Sequence, residues 1–174
     1  MCIRDSGGLV RGRVLSCAGS AATSFACSLL APAVASGGWL AVIDLPTLGL
    51  DAASELGMPL ERVVAVDTGG DPSRWIESVA AAADGFDVLL VRVPAELRPA
   101  MVRKLVTRIQ QQGAVVVVVG EAGLLPCDGE LRADGLAWEG IGDGCGHLRR
   151  RSVRVSAAGR RMPGVRRGEF AVPA

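Results

Sequence analysis

The residues whose types and spacing could do chemistry gather first at 14–24, VLSCAGSAATS, where an apolar run gives way to small residues and then to a helical pattern. A strand that turns tightly into a helix exposes main-chain N–H groups to an anion, and the phosphate-loop pattern G-x-x-x-x-G-K-[ST] exploits this arrangement. Gly19, Ser20 and Ala21 supply the small residues, and Thr23 and Ser24 supply the hydroxyls that would reach a phosphate-bound metal. Ala22 stands where the lysine belongs, and Lys104, the sole lysine, lies far along the chain. Weak phosphate or nucleotide binding survives as an expectation, because a helix N-terminus attracts anions without a lysine. The competing reading gives Thr23 and Ser24 a capping role, for which hydroxyls are favoured.

Two other groups of residues qualify. Asp44 closes the apolar run WLAVIDL, at the strand end where α/β proteins place ligands. Arg149, Arg150, Arg151, Arg154, Arg160, Arg161, Arg166 and Arg167 crowd the last quarter of a chain whose formal net charge is only +1. Clustered arginines contact DNA phosphates without sequence preference, or steer an acidic protein, or simply solvate a strand face. No aromatic residues are interleaved with them, which argues against a platform for stacked bases. Cys127, Cys145 and His147 do not make a metal site: there is no C-x-x-C, and His147 is the single histidine. No catalytic residue is assigned.

The elements that must position these residues follow from periodicity. At 174 residues the chain has the length of one domain, and its core must come from aliphatic residues, since only 3% are aromatic. Strands are predicted at 14–17, 39–45, 62–66, 86–93 and 114–119, and helices at 21–35, 50–56, from Pro72 and at 96–112. Asp71-Pro72 is read as a cap and first helical residue. Phe25, Leu29, Leu30 and Val34 mark the inner face of the first long helix, and Trp75, Ile76, Val79 and Ala83 that of the third. Leu97, Met101, Leu105 and Ile109 mark the last. Alternating strands and helices, the strands apolar throughout, predict a parallel sheet covered on both faces. After Gly120 the helical period disappears, and 131–138, 148–156 and 167–172 read as strands, the middle one as an edge or partly exposed strand. Residues 1–12 are a flank outside this pattern, open to being non-native. Residues 13–120 form the parallel core and 121–174 an antiparallel extension of one domain.

Five cysteines in no disulfide-like spacing favour a reducing, cytoplasmic setting. Arg11 and Arg13 before an apolar run, with Ala33-Val34-Ala35 after it, have the outline of a secretory signal. Ser16, Gly19, Ser20, Thr23, Ser24, Ser28 and Pro32 interrupt that run, so the strand-and-helix reading is kept. No stretch has the length of a membrane span.

In this order of elements the chain resembles the RecA-type recombinase core. The resemblance rests on VLSCAGSAATSFACSLL for strand, loop and helix, and on AVIDLPTLGLDAASELGMPLERVVAV for the second unit. FDVLLVRV matches the strand that carries a magnesium-supporting aspartate, MVRKLVTRIQQQGAVVVVVG the following helix and strand, and RRRSVRVSAAGRRMPGVRRGEFAVP the final hairpin. It implies a three-layer α/β/α fold, mainly parallel, with antiparallel strands at the C-terminal end. It also locates the departures. Arg92 stands at the aspartate position, the catalytic glutamate has no counterpart beyond its nearest acids Asp44 and Asp51, and the phosphate lysine is absent.

Two groups of degenerate RecA-like proteins share such departures: ImuA-type accessory proteins of translesion synthesis, including actinobacterial ones, and SulA-type division inhibitors. The phrase LAWEGIGDGCGHLRRRSVRV is similar to the former. The resemblance therefore implies a non-catalytic adaptor for a translesion-polymerase-like protein, with weak, non-specific DNA binding as an accessory property. A divergent nucleotide hydrolase and a division inhibitor are the alternatives.

Overall fold

Val115–Val119 is five valines in succession, and every one is buried. Only a strand covered on both faces can use such a run. Each buried valine contributes about 1.5–3 kcal/mol, an upper figure because unfolded chains already bury some surface. In the computed structural model, which describes residues 9–142, 145–159 and 164–173, this strand lies inside an eight-stranded sheet.

The strands are β1 (Val14–Ala18), β2 (Leu40–Ile43), β3 (Val63–Val66), β4 (Val88–Val91), β5 (Val115–Val119), β6 (Gly129–Gly142), β7 (Cys145–Gly159) and β8 (Arg166–Pro173). Their spatial order is β3-β2-β4-β5-β1-β6-β7-β8. The helices are α1 (Ala22–Ala35), α2 (Leu50–Glu55), α3 (Pro72–Gly85) and α4 (Pro99–Gln112), with a single 3-10 turn at Leu60–Arg62. Leu30, Val34 and Ala53 of α1 and α2 pack with Leu40, Val42, Leu90 and Val117 on one face. Trp75, Val79, Leu105 and Ile109 of α3 and α4 pack with Ile43, Leu89, Val91 and Val116 on the other. The result is the expected three-layer α/β/α arrangement, mainly parallel, with antiparallel strands at its C-terminal end.

Local chemistry sets the helix ends. Asp71 caps α3 by accepting from the Arg74 N–H at 2.8 Å, with Pro72 at the first helical position. Pro99 opens α4, and Gly113 closes it at φ 79, donating to Ile109 O. Because α4 starts at Pro99, Leu97 is buried ahead of it. The inner stripe is Val102, Leu105 and Ile109, with Met101 only partly covered. α1 continues through Pro32 to Ala35. Arg108 clamps Asp84 across α3 and α4, with Nε on Oδ1 at 2.8 Å, and holds that carboxyl below its ordinary pKa.

The sequence reading is corrected in two places beyond the core. β6 runs parallel to β1, registered from Leu15↔Gly129 to Ala18↔Arg132, so antiparallel pairing begins only at β7. Asp128 makes that parallel pairing possible. Its N–H donates to Val14 O at 2.8 Å, and its Oδ2 accepts from the Val14 N–H at 3.2 Å, which aligns the two strand starts. β7 is an interior strand between β6 and β8, so of its two readings the edge is excluded and the partly exposed strand holds.

Candidate functional site

The loop after β1 has three residues, Gly19, Ser20 and Ala21, between Ala18 and the helix start at Ala22. A phosphate cradle needs several successive N–H groups turned towards one point. Here two of them serve the protein itself. Ala21 N–H donates to Ala133 O of β6 at 2.9 Å, and Ala22 N–H donates to Gly19 O at 3.2 Å. Gly19 has φ 104, and a Cβ there would stand 2.3 Å from Ala133 O and 2.7 Å from Asp134 Oδ1. The main chain of β6 thus presses directly on the loop, and a carboxylate stands at the mouth. Gly135 N–H donates to Ser20 Oγ at 2.9 Å, and Arg151 Nη2 of β7 donates to Ser20 O at 3.3 Å.

Beyond Arg132, β6 outruns β1, and this approach is what brings residues more than 110 positions apart into contact. Ala21, Ala133 and Val153 form a small third core there, flanked by Phe25, Leu56, Val155 and Phe170. Phe25 and Phe170 lie 5.4 Å apart between ring centres.

Thr23 and Ser24 do not cap α1. The cap residue is Ala21, which makes no side-chain bond, and the two hydroxyl residues lie inside the first turn, half-buried. Thr23 and Ser24 are the second and third helical residues, two and three positions past the cap. Cys17 and Cys27 sit just beneath, in the apolar interior. Burial pushes the Cys17 thiol up to about 12, with the Cys27 thiol adding to it, and pushes Cys27 up to about 11.

The register Ile43↔Val91 places Asp44 and Arg92 side by side at the ends of β2 and β4. They form no ion pair among the described residues. Asp44, the only non-glycine residue with positive φ among those described, turns its carboxylate to the loop after β3 instead. Its Oδ1 accepts from the Thr68 N–H at 2.7 Å and its Oδ2 from Thr68 Oγ1 at 2.5 Å. Thr68 is 4% exposed and is the buried polar residue that pattern reading missed; the turn signal DTGGD around it was the available clue. Arg92 is held by its main chain, which donates to Ile43 O and accepts from Trp75 Nε1 at 2.8 Å, leaving the guanidinium exposed.

The sheet divides the arginines. Arg154 lies opposite both Asp134 and Glu169 and pairs with Glu169 at 3.2 Å. Arg132 pairs with Asp134 on the same face at 2.8 Å. Arg151 covers the half-exposed Trp138 at 5.1 Å on the opposite face. Arg149, Arg150, Arg166 and Arg167 are exposed, while Arg160 and Arg161 lie outside the described residues. Among the described residues no cluster of metal-ligating side chains occurs, and no helix is long and apolar enough to cross a membrane.

A model of the MT3502 N-terminal domain family matches residues 3–123, a span that runs through β5 and stops short of β6. The uncharacterized protein Rv3395c of Mycobacterium tuberculosis is 34% identical over 101 residues, 57% of this chain and 48% of its own. The chain therefore spans about half the length of that curated relative. The crystal structure of the RadB recombinase superposes with a TM-score of 0.65 at 16% identity, covering 94% of this chain and 89% of that one. The fold is RecA-like.

Proposed function

The chain belongs to the MT3502 N-terminal domain family, and on that premise we propose that it is a non-catalytic RecA-like adaptor in DNA-damage tolerance, of the ImuA type, holding a translesion-polymerase-like protein. The observation that carries this reading is the closure of the loop after β1 by Ala133 and Asp134. Phosphoryl transfer depends on positioned cations and magnesium. At this loop the chain offers Ala22 for lysine and Asp134 at the mouth, and Arg92 in place of a metal-supporting acid. Losing one strong charge stabiliser costs about two or more decades of rate, and two are lost here. A scaffold in this condition acts through its surfaces. The mycobacterial relative supports an actinobacterial setting, in keeping with the ImuA-like tail phrase.

Two measurements test the proposal. Purified protein with ATP and magnesium is expected to release no phosphate above the blank. Release abolished by Thr23→Val would instead favour a divergent hydrolase. Co-expressed with the Y-family-polymerase-like protein of its own genome, the chain is expected to co-elute with it in gel filtration. Co-elution with a cytoskeletal division protein, and not with the polymerase, would move the assignment to the SulA-type reading.

A further inference from the structure

We propose that β8 is a self-complementary edge through which two copies of this chain join their sheets. Among the described residues the outer side of β8 has no partner strand, so its main-chain groups there are open to another strand. The order of charges along it makes a second copy the fitting occupant. Arg167 and Glu169 flank Gly168, and all three are exposed. Their inner partners on β7 are Ser156, Arg154 and Val155, which puts Arg167 and Glu169 on one face of the sheet.

A two-fold axis perpendicular to the sheet keeps each face on its own side, so directly opposed residues must share parity. The axis must then pass through a residue. Through Arg167 or Glu169 it would oppose like charges at the centre. Through Gly168 it sets Arg167 against Glu169 of the second copy, and Glu169 against its Arg167, so one contact gives two opposite-charge pairs. The same register sets Arg166 against Phe170 of the second copy on the other face, where a guanidinium can lie on a ring. Gly168 brings no side chain of its own to the axis, and within its own chain the space beside it is open. β8 is eight residues long, enough for several main-chain bonds in each direction. This pairing does not depend on the adaptor reading, and it leaves the loop after β1 untouched.

Sedimentation velocity over a wide concentration series is the test. The wild-type chain is expected to show a concentration-dependent monomer–dimer equilibrium. Arg167→Glu and Glu169→Lys each oppose like charges at both symmetric positions, and each should weaken the dimer on the order of tenfold or more. Both sites are exposed, so Arg167→Glu should leave the thermal midpoint of the monomer near wild type, while Glu169→Lys, which also sets a lysine opposite Arg154 of its own sheet, should lower it slightly. Mixing the two weakened variants restores opposite charges at both positions and is expected to return a heterodimer at wild-type strength. A chain that stays monomeric throughout, variants that dimerise like wild type, or a mixture that fails to recover would each overturn the proposal.

Discussion

Arg151 Nη2 donates to the carbonyl of Ser20 at 3.3 Å while its guanidinium lies 5.1 Å from the centre of the Trp138 ring. One side chain therefore ties the loop after β1 to β7 and covers an otherwise exposed indole. Gly135 makes room for it: a Cβ there would stand 2.4 Å from Nη2. Arg151→Ala should cost about 1–2 kcal/mol in denaturant unfolding, for a charged hydrogen bond that is partly exposed together with a cation–π contact. Arg151→Lys should recover little, because an ammonium cannot present the same flat fork. A lysine variant as stable as wild type would show that charge alone suffices.

Gly19→Ala tests the closure of the loop most directly. The substitution adds a Cβ at φ 104 and drives it into the main chain of β6. Strain in that conformation and overpacking each cost about 1–3 kcal/mol, and a carbonyl in a sheet cannot swing aside as a side chain can. A loss of about 2–6 kcal/mol is expected on those terms, with hydrogen exchange rising first at residues 133–135. Unchanged protection there would mean that β6 does not hold the loop.

The parallel core was legible because its signals are local. Five valines in β5, Asp71-Pro72 before α3 and Gly113 after α4 act within one or two turns of chain. Strand ends were overdrawn where apolar residues continue past the paired stretch, as at Phe86 and Val93 around β4. The candidate site was readable as a position but not as an environment. Nothing near Gly19 in sequence announces Ala133, Asp134 or Arg151, and hydroxyls two residues past a turn look like caps until the turn proves to be three residues long. The direction of β6 and the interior place of β7 are likewise matters of pairing: the first rests on Asp128 meeting Val14, 114 positions away, and the second on β8 adding outside β7, and no local pattern announces either.

Thr68→Val isolates the Asp44 clamp. Valine keeps the size and removes the hydroxyl that donates to Oδ2, leaving a carboxylate one partner short beside a buried position. A cost of about 1–3 kcal/mol is expected from that unmet acceptor. Thr68→Ser keeps the donor and should cost less. Equal losses in the two variants would assign the effect to packing.

The buried thiols predict an alkaline limit to stability. Cys17 and Cys27 have folded values of about 12 and about 11 against an ordinary value of 9.0, so between these limits the unfolded chain is the more ionised. Their contribution is complete below pH 9.0, declines as pH rises past it, and is gone above about 12. Unfolding midpoints in urea should therefore fall from pH 9 upward, and the fall should shrink in Cys17→Ala with Cys27→Ala, compared with that variant's own neutral value. At neutral pH, peptide mapping after brief alkylation should find Cys17 and Cys27 unmodified in the folded protein. Cys127, half-buried and also raised, should react ahead of them. Early labelling of Cys17 would contradict its place in the core.

The last prediction concerns DNA. Non-specific affinity depends on cations free to replace counterions, and its salt dependence counts them. Arg154 spends its charge on Glu169, Arg132 on Asp134, and Arg151 on Ser20 and Trp138. Arg149, Arg150, Arg166 and Arg167 are the exposed described arginines of β7 and β8 without such a contact. Any binding to a duplex of arbitrary sequence should thus be weak and fall steeply with salt. Arg149→Glu with Arg150→Glu should weaken it and flatten the salt slope by about two cation equivalents. Arg154→Glu alone should change the slope much less, since it removes a charge already matched across the strand. Fluorescence anisotropy at several salt concentrations separates the two cases. A larger effect from Arg154 than from the exposed pair would show that the cross-strand ion pairs open on DNA, and that the face they share is the one that meets the phosphates.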